Sequence, residues 1–186
     1  LSLSNVAKTL RLPLGFLFAG LYLVFAPRFV TPRSLAIGAA VALVGILVRA
    51  WASGHIMKND RLATSGPYAF TRNPLYFGSF LIAVGFAIAA HWALVALVAL
   101  FFLLIYAPTM AREKANISGR FPDAYAQYER HVPAFFPRPV PWRGEGMPAE
   151  GVGFSFPLYM RHGEWKAALG YISAIAYLLI RLAMRR

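Results

Sequence analysis

The run PLYFGSFLIAVGFAIAAHWALVALVALFFLLIYAP, residues 74–108, decides the fold. Apart from His91, Trp92 and a few hydroxyls it is apolar throughout. As one helix it would extend about 50 Å at 1.5 Å per residue, whereas the hydrocarbon core of a bilayer is only about 30 Å thick. Broken near Ala89-Ala90-His91-Trp92, it becomes two antiparallel spans. His91 and Trp92 then sit at the far interface, where a ring with a polar edge is favoured. No glycine or proline marks the break, so the hairpin is inferred from length alone.

The rest of the chain agrees with a membrane setting. Of 186 residues, 59% are hydrophobic and 14% charged, and the mean hydropathy is +0.55, too apolar for a soluble domain of this size. Leu10 to Ala26 reads as a first span. It imitates a signal peptide, but no small-x-small cleavage site follows and further spans do. The sequence opens on Leu1 rather than Met, so a trimmed chain is expected. Ser34 stands where a helix N-cap belongs, and Leu35 to about Ser53 reads as the second span. Its Gly38, Ala39, Ala40, Ala42 and Gly45 suit close helix contact. Ala167 to Ala183 is the last apolar run.

Two polar segments, Gly54 to Asn73 and Thr109 to about Lys166, share one face of the membrane if 74–108 is a hairpin. In the second, Met110 to Arg130 reads as helix interrupted around Gly119 to Pro122. Val132 to Trp142 is extended and punctuated by proline, and Gly144 to Gly153 is loop. Arg49, Lys58, Arg61, Arg72 and eight further cations between Arg112 and Lys166 put 12 of the 19 on that face. The positive-inside rule makes it cytoplasmic. Arg185 and Arg186 then finish outside if the last helix crosses, which sets the rule against that crossing. The formal charge of +12 is thus a membrane-loop bias; the cations form no basic face or motif for nucleic acid. With no cysteine, disulfides and thiolate chemistry are excluded. His55, His91, His131 and His162 lack metal-ligand spacing, so no metal is expected. Trp51, Trp142 and Trp165 read as interface anchors.

The functional signal lies just before the hairpin. In Thr64-Ser65-Gly66-Pro67-Tyr68-Ala69-Phe70-Thr71-Arg72-Asn73-Pro74 each proline disfavours helix at the residue before it, so the backbone is irregular and its amides are free to meet a ligand. At bilayer depth such backbone is tolerated only inside protein or around a wet cavity. Further along come Arg112-Glu113-Lys114, then Phe121-Pro122-Asp123-Ala124-Tyr125-Ala126-Gln127-Tyr128, then Val132-Pro133.

In this order and spacing, over roughly 49–140, the chain resembles the integral membrane methyltransferases of the isoprenylcysteine carboxyl methyltransferase and phospholipid N-methyltransferase superfamily. Their pattern runs G-x-Y, R-H-P-x-Y-x-G, a helical hairpin, E-E-x-x-L, F-G-x-x-Y-x-x-Y, then V-P. Gly66-Pro67-Tyr68 and Arg72-Asn73-Pro74-Leu75-Tyr76-Phe77-Gly78 fill the first two places. Asn73 replaces the histidine, Lys114 the second glutamate and Pro122 the glycine. Asp60 stands where the carboxyl methyltransferases often have a histidine.

The resemblance implies an all-α integral membrane bundle of about five transmembrane helices with a cytoplasmic helical and loop cap. It forms one unit over 1–186, divided into the first two spans (1–53), a motif-bearing core (54–140) and a loop with the last helix (141–186). The resemblance also implies S-adenosylmethionine as cofactor, held by Gly66, Pro67, Tyr68, Arg72, Asn73, Pro74, Tyr76, Glu113, Tyr125 and Tyr128, with Arg72 and Glu113 as the catalytic pair. The partner is a lipophilic methyl acceptor from the bilayer: an isoprenylcysteine-like carboxylate, an amino phospholipid or a small hydrophobic molecule. Taken alone, Arg72 also reads as a snorkelling arginine or a partner of Glu113, and Tyr125 and Tyr128 as packing residues. Tyr159, Arg161, His162 and Glu164 read as a polar rim. Two rivals share the scaffold: an NADPH-dependent reductase resembling the sterol reductases, and a non-catalytic member.

Overall fold

The computed structural model describes residues 3–56, 61–144 and 153–185, with side chains from Pro13 onward. Lys58, Asp60 and most of the Gly144–Gly153 loop lie outside these residues. Helix α1 (Leu3–Phe25) leads through a short 3-10 turn (Ala26–Arg28) to α2 (Pro32–Ser53). The loop carrying a second 3-10 turn (Gly66–Ala69) follows, then α3 (Pro74–Ala90). Helix α4 (Leu94–Phe101) runs on through a π-turn (Phe102–Tyr106) into α5 (Ala107–Arg120). The cap helix α6 (Pro122–His131), the short α7 (Phe156–His162) and α8 (Trp165–Ala183) complete the order. All described regular structure is helical.

Length and apolarity suit Pro32–Ser53, Leu94–Arg120 and Trp165–Ala183 to crossing a membrane, and the shorter apolar stretches Pro13–Arg28 and Pro74–Ala90 bring the bundle to about five spans. The hairpin breaks where length requires, with α3 ending at Ala90 and α4 starting at Leu94. Two boundaries differ from expectation. The N-cap of α2 is Thr31, not Ser34: Pro32 opens the helix, Thr31 accepts from the Ser34 amide, and the Ser34 side chain accepts from the Thr31 amide. The Ser34 hydroxyl also donates to the Ala89 carbonyl at 2.9 Å, tying the start of α2 to the end of α3. Pro108 does not end the hairpin's second arm, because the wider π-turn immediately before it takes up a residue without an N–H. Thr109 Oγ1 donates to the Ile105 carbonyl at 2.8 Å.

Helices α2 and α3 make the tightest interface. Gly38 and Gly45 on α2 meet Gly85 and Gly78 on α3, so seven-residue spacings face each other. A Cβ on Gly38 would lie 2.3 Å from the Gly85 carbonyl oxygen, and one on Gly45 2.5 Å from that of Gly78. Backbones this close gain dispersion contacts that hydrocarbon solvent cannot match. Around this pair, Leu43, Leu47, Leu103, Leu104, Leu179 and Ile180 are exposed, as lipid-facing side chains are.

The path of α8 answers the question its terminal arginines raised. At one end Glu164 pairs with Arg49 near the C-terminus of α2. Midway, the Tyr171 hydroxyl donates to the Ala39 carbonyl at 3.0 Å, and the Tyr177 hydroxyl to that of Leu23 at 2.9 Å. At the other end Arg185 donates to the carbonyls of Pro27 and Arg28 in the α1–α2 turn. Helix α8 therefore runs antiparallel to α2 over its full height, and Arg185 serves as a cap for turn carbonyls.

Candidate functional site

The loop before α3 is held in shape from three directions. Gly66 has φ of +58°, and a Cβ there would meet the His55 ring at 2.6 Å, so only glycine fits the turn. His55 Nδ1 lies 3.1 Å from Ser65 Oγ. The proline-rich stretch 132–142 lies along the outer side: the amides of Arg72, Arg138 and Trp142 donate to the carbonyls of Pro133, Phe70 and Ala69, each at 2.9 Å. Thr71 Oγ1 donates to the Phe135 carbonyl at 2.9 Å, and Asn73 Nδ2 to that of Ala134 at 2.8 Å. Asn73 thus works as a backbone clamp. Trp142 is no interface anchor: its ring stacks on His131 and packs against Tyr128 beneath the cap.

Between this loop and α5–α6 lies a cavity of about 330 Å³. Arg61, Tyr68, Arg72, Asn73, Lys114, Asn116, Arg120, Tyr125 and Tyr128 supply its polar lining, and Leu62, Met110, Ile117 and Phe121 most of the apolar part. Four cations and no acid stand in the lining. A second, open and apolar groove of about 180 Å³ runs on the other side of the loop, lined by Val48, Trp51, Pro67, Phe70, Pro74 and Phe77 among others. The loop is a partition: Tyr68, Arg72 and Asn73 border the cationic cavity, while Pro67, Phe70 and Pro74 border the groove.

Arg72 does not pair with Glu113. Its Nη1 donates to the Tyr125 hydroxyl at 2.9 Å and to Glu129 Oε1 at 2.6 Å, and Lys114 Nζ reaches the same oxygen at 2.6 Å. With 12% of its side chain exposed, Arg72 is no snorkelling arginine. Burial works against its charge, but the bonds it donates to Tyr125 and Glu129 outweigh that and hold its pKa above the ordinary value. The Lys114 ammonium, opposed by burial and reinforced by Arg72, keeps the Glu129 carboxyl below the usual range. Tyr125 and Tyr128 are buried at 5% and 2% exposure, and both also border the cavity. The Tyr128 hydroxyl donates to the Tyr68 carbonyl at 2.6 Å. Packing and cavity lining are here the same job.

Glu113 stands on the same side of the bundle as the loop. Its Oε1 accepts from the Tyr76 hydroxyl at 2.7 Å, bridging α5 to the first turn of α3. It does not line the cavity, and neither do Gly66, Pro67, Pro74 or Tyr76. On the other flank of that turn, Arg49 Nε and Nη2 hold both oxygens of Glu164 at 2.9 and 2.7 Å. Arg49 Nη1 is bonded to the Leu75 carbonyl and the Ser79 hydroxyl. Two buried polar atoms have no hydrogen-bond partner among the described residues: the Tyr68 hydroxyl and Arg72 Nε. Burial, reinforced by Glu113 and Glu164 and opposed by Arg49, pushes the Tyr68 hydroxyl pKa upward, so it stays protonated.

Sequence reasoning missed Glu129 and left Glu164 as a rim residue. The signal for Glu129 was available, one turn beyond Tyr125 on the same helix face. For the Arg49–Glu164 pair, 115 residues apart, there was none.

Residues 34–123 match the phospholipid methyltransferase family model. The chain is 37% identical over 120 residues to the cobalt-zinc-cadmium resistance protein CzcN of Cupriavidus metallidurans, covering 63% of this chain and 55% of that protein. It is 36% identical over 132 residues to the nickel-cobalt-cadmium resistance protein NccN of Alcaligenes xylosoxydans xylosoxydans, covering 69% and 60%. The match thus spans a little over half the length of these relatives. No solved structure matches the chain.

Proposed function

We propose, from the match of residues 34–123 to the phospholipid methyltransferase family model, that the chain transfers a methyl group from S-adenosylmethionine to a lipophilic acceptor drawn from the bilayer. One observation carries the reading: the cavity between the 61–73 loop and α5–α6, with Tyr68, Arg72, Tyr125 and Tyr128 in its wall. Its residues fit such a cofactor. Arg61, Arg72, Lys114 and Arg120 offer a cationic wall to the carboxylate of its amino-acid end. Tyr125, Tyr128 and Phe121 offer aromatic faces to the base; Glu113, held by Tyr76 beside the cavity rather than in its lining, is an acceptor for the ammonium or ribose hydroxyls of a ligand that extends past the lining residues.

The bound cofactor supplies a methyl group already activated on a sulfonium, so no metal or covalent nucleophile is required of the protein. The protein's task is alignment and exclusion of water. Arg72, tied to Tyr125 and Glu129, fixes the loop against the cap. The segment 132–142 seals the loop's outer side. The apolar groove beside Pro67 and Pro74 is where the reading puts the acceptor's hydrocarbon, one loop's thickness from the cavity. The positive-inside rule turns this end of the bundle toward the cytoplasm, the side from which a soluble cofactor arrives.

Methyl-labelled cofactor incubated with purified protein and a membrane lipid extract tests this. Label should pass to the organic phase, and Glu113→Ala or Arg72→Ala should lower the rate tenfold or more, about 1.4 kcal/mol in the barrier. Label confined to the aqueous phase contradicts a lipophilic acceptor. The relatives' names add a context: cells lacking this protein should grow less well in cobalt, zinc, nickel or cadmium salts.

A further inference from the structure

The two ends of the bundle carry different charge. Among the described residues the acids are Glu113, Asp123, Glu129 and Glu164, and all four belong to the end that holds the loop before α3. Glu113 meets Tyr76, Glu129 meets Arg72, Glu164 meets Arg49, and Asp123 stands in the first turn of the cap helix α6. The opposite end is made of the α1–α2 turn, the tip between α3 and α4, and the end of α8. Its charged side chains among the described residues are Arg28, Arg33, Arg181 and Arg185, with no Asp or Glu beside them. Helix α3 spans the interval between the two ends, 17 residues or about 25 Å at 1.5 Å per residue.

The fold draws these arginines together from distant parts of the chain. Arg185 Nη2 donates to the Arg28 carbonyl at 2.7 Å, and Nη1 to that of Pro27. Leu178, 1% exposed, shares a core cluster with Val30 and Leu35, which fixes the end of α8 against the start of α2. Arg181 stands one turn before Arg185 on the same flank of α8, and Arg33 lies in the first turn of α2. All four arginines are exposed, and no ion pair among the described residues holds any of them. Exposed apolar side chains flank them in the chain, Phe25 and Phe29 around Arg28, and Ile180 and Met184 around Arg181 and Arg185. The Arg28 guanidinium carbon lies 5.6 Å from the centre of the Phe25 ring.

This mixture selects its partner. An acidic protein or a nucleic acid would answer the arginines and leave the apolar side chains without a neighbour. A lipid of no net charge would cover the apolar side chains and leave the cations uncompensated. At the boundary of the hydrocarbon, an anionic phospholipid answers both: its phosphate matches the planar fork of arginine, and its chains lie beside apolar side chains. We propose that the α1–α2 turn and the end of α8 form a binding site for one anionic phospholipid, whose phosphate Arg28, Arg33 and Arg181 hold. Arg185, bonded to the turn carbonyls, keeps the two halves of the site together. Such a lipid ties α8, little of which is buried in protein, to the first two helices. It stands a helix length from the loop and its cavity, so it is a ligand of the fold and not the methyl acceptor. The inference is independent of the methyltransferase reading.

Purified full-length chain in neutral detergent, titrated with dioleoylphosphatidylglycerol, dioleoylphosphatidylcholine or inorganic phosphate, tests this. Native mass spectrometry reads the bound lipid, and the melting temperature reads its effect on the fold. One phosphatidylglycerol per chain should be retained, about tenfold or more tighter than phosphatidylcholine. At saturation it should raise the melting temperature by about 5 °C or more. Arg28→Gln with Arg33→Gln and Arg181→Gln should abolish that preference. The same charge removed at the loop end, by Arg130→Gln with Arg143→Gln and Lys166→Gln, should change it less than about threefold. Arg185 stays unchanged in both variants, because its loss would free the turn carbonyls. Equal affinity for the two lipids, equal losses in the two triple variants, or an equal rise in melting temperature with inorganic phosphate overturns the site. The wild-type comparison of the two lipids precedes any variant, so it decides the proposal even where a variant fails to fold.

Discussion

The α2–α3 interface and the loop that joins these two helices differ in how completely they are filled. Along the helices, Gly38, Gly45, Gly78 and Gly85 bring the backbones so close that an added methyl meets a carbonyl oxygen within 3 Å. At the loop end, the chain leaves a cavity of about 330 Å³, four cations in its lining and, among the described residues, two buried polar atoms without a hydrogen-bond partner. One region is packed for stability. The other keeps unspent hydrogen-bonding capacity, which costs stability and makes sense only where a ligand collects it.

Breaking the packed region should have the largest effect. Gly85→Leu puts a branched side chain where a Cβ already lies 2.4 Å from the Gly38 carbonyl oxygen; it should cost about 3 kcal/mol or more and collapse the yield of monodisperse protein in size-exclusion chromatography. Gly119→Ala is the control: nothing lies within 4 Å of its Cβ, so the change should be neutral or gain up to about 1 kcal/mol. Next in size is Tyr128→Phe, which strips the Tyr68 carbonyl of its 2.6 Å bond and should lower thermal stability by about 1–2 kcal/mol.

A sharper test of the contrast is Tyr68→Phe. Removing a hydroxyl that has no partner should raise thermal stability by about 1 kcal/mol while ligand binding weakens, the reverse of a packing residue. The smallest effect is acid sensitivity. Glu129 has its folded pKa below the ordinary 4.5, so its contribution is fully present above that value and is lost as pH falls through the folded one. Melting temperature should therefore drop on acidification below about pH 4.5, and the drop should be smaller in Glu129→Gln.

Much of the packed region was legible in the sequence. The 74–108 run had to fold in two because a bilayer is only so thick, and small residues along α2 announced a close neighbour. The kink of the chain at Arg120–Pro122 and the proline-punctuated segment were also readable. Within the candidate site, the turn chemistry of Gly66 and Pro74 could be read locally. Partner choice could not: Arg72 lies within reach of Glu129 rather than Glu113 because α6 folds back over the loop, and Glu164 meets Arg49 because α8 returns along α2. Pairings of this kind are set by topology, and one-dimensional spacing carries no record of them. The two terminal arginines illustrate the same limit: the charge rule set them against a crossing helix, yet Arg185 is spent on the carbonyls of the α1–α2 turn.

The central claim is that the cavity between the 61–73 loop and α5–α6 holds a nucleoside methyl donor. Isothermal titration of wild-type protein with S-adenosylhomocysteine tests it most directly. Saturable one-to-one binding at micromolar concentration, weakened about tenfold in Glu113→Ala, is the predicted result. An absence of heat up to high micromolar nucleoside, from protein that melts cooperatively, would contradict it.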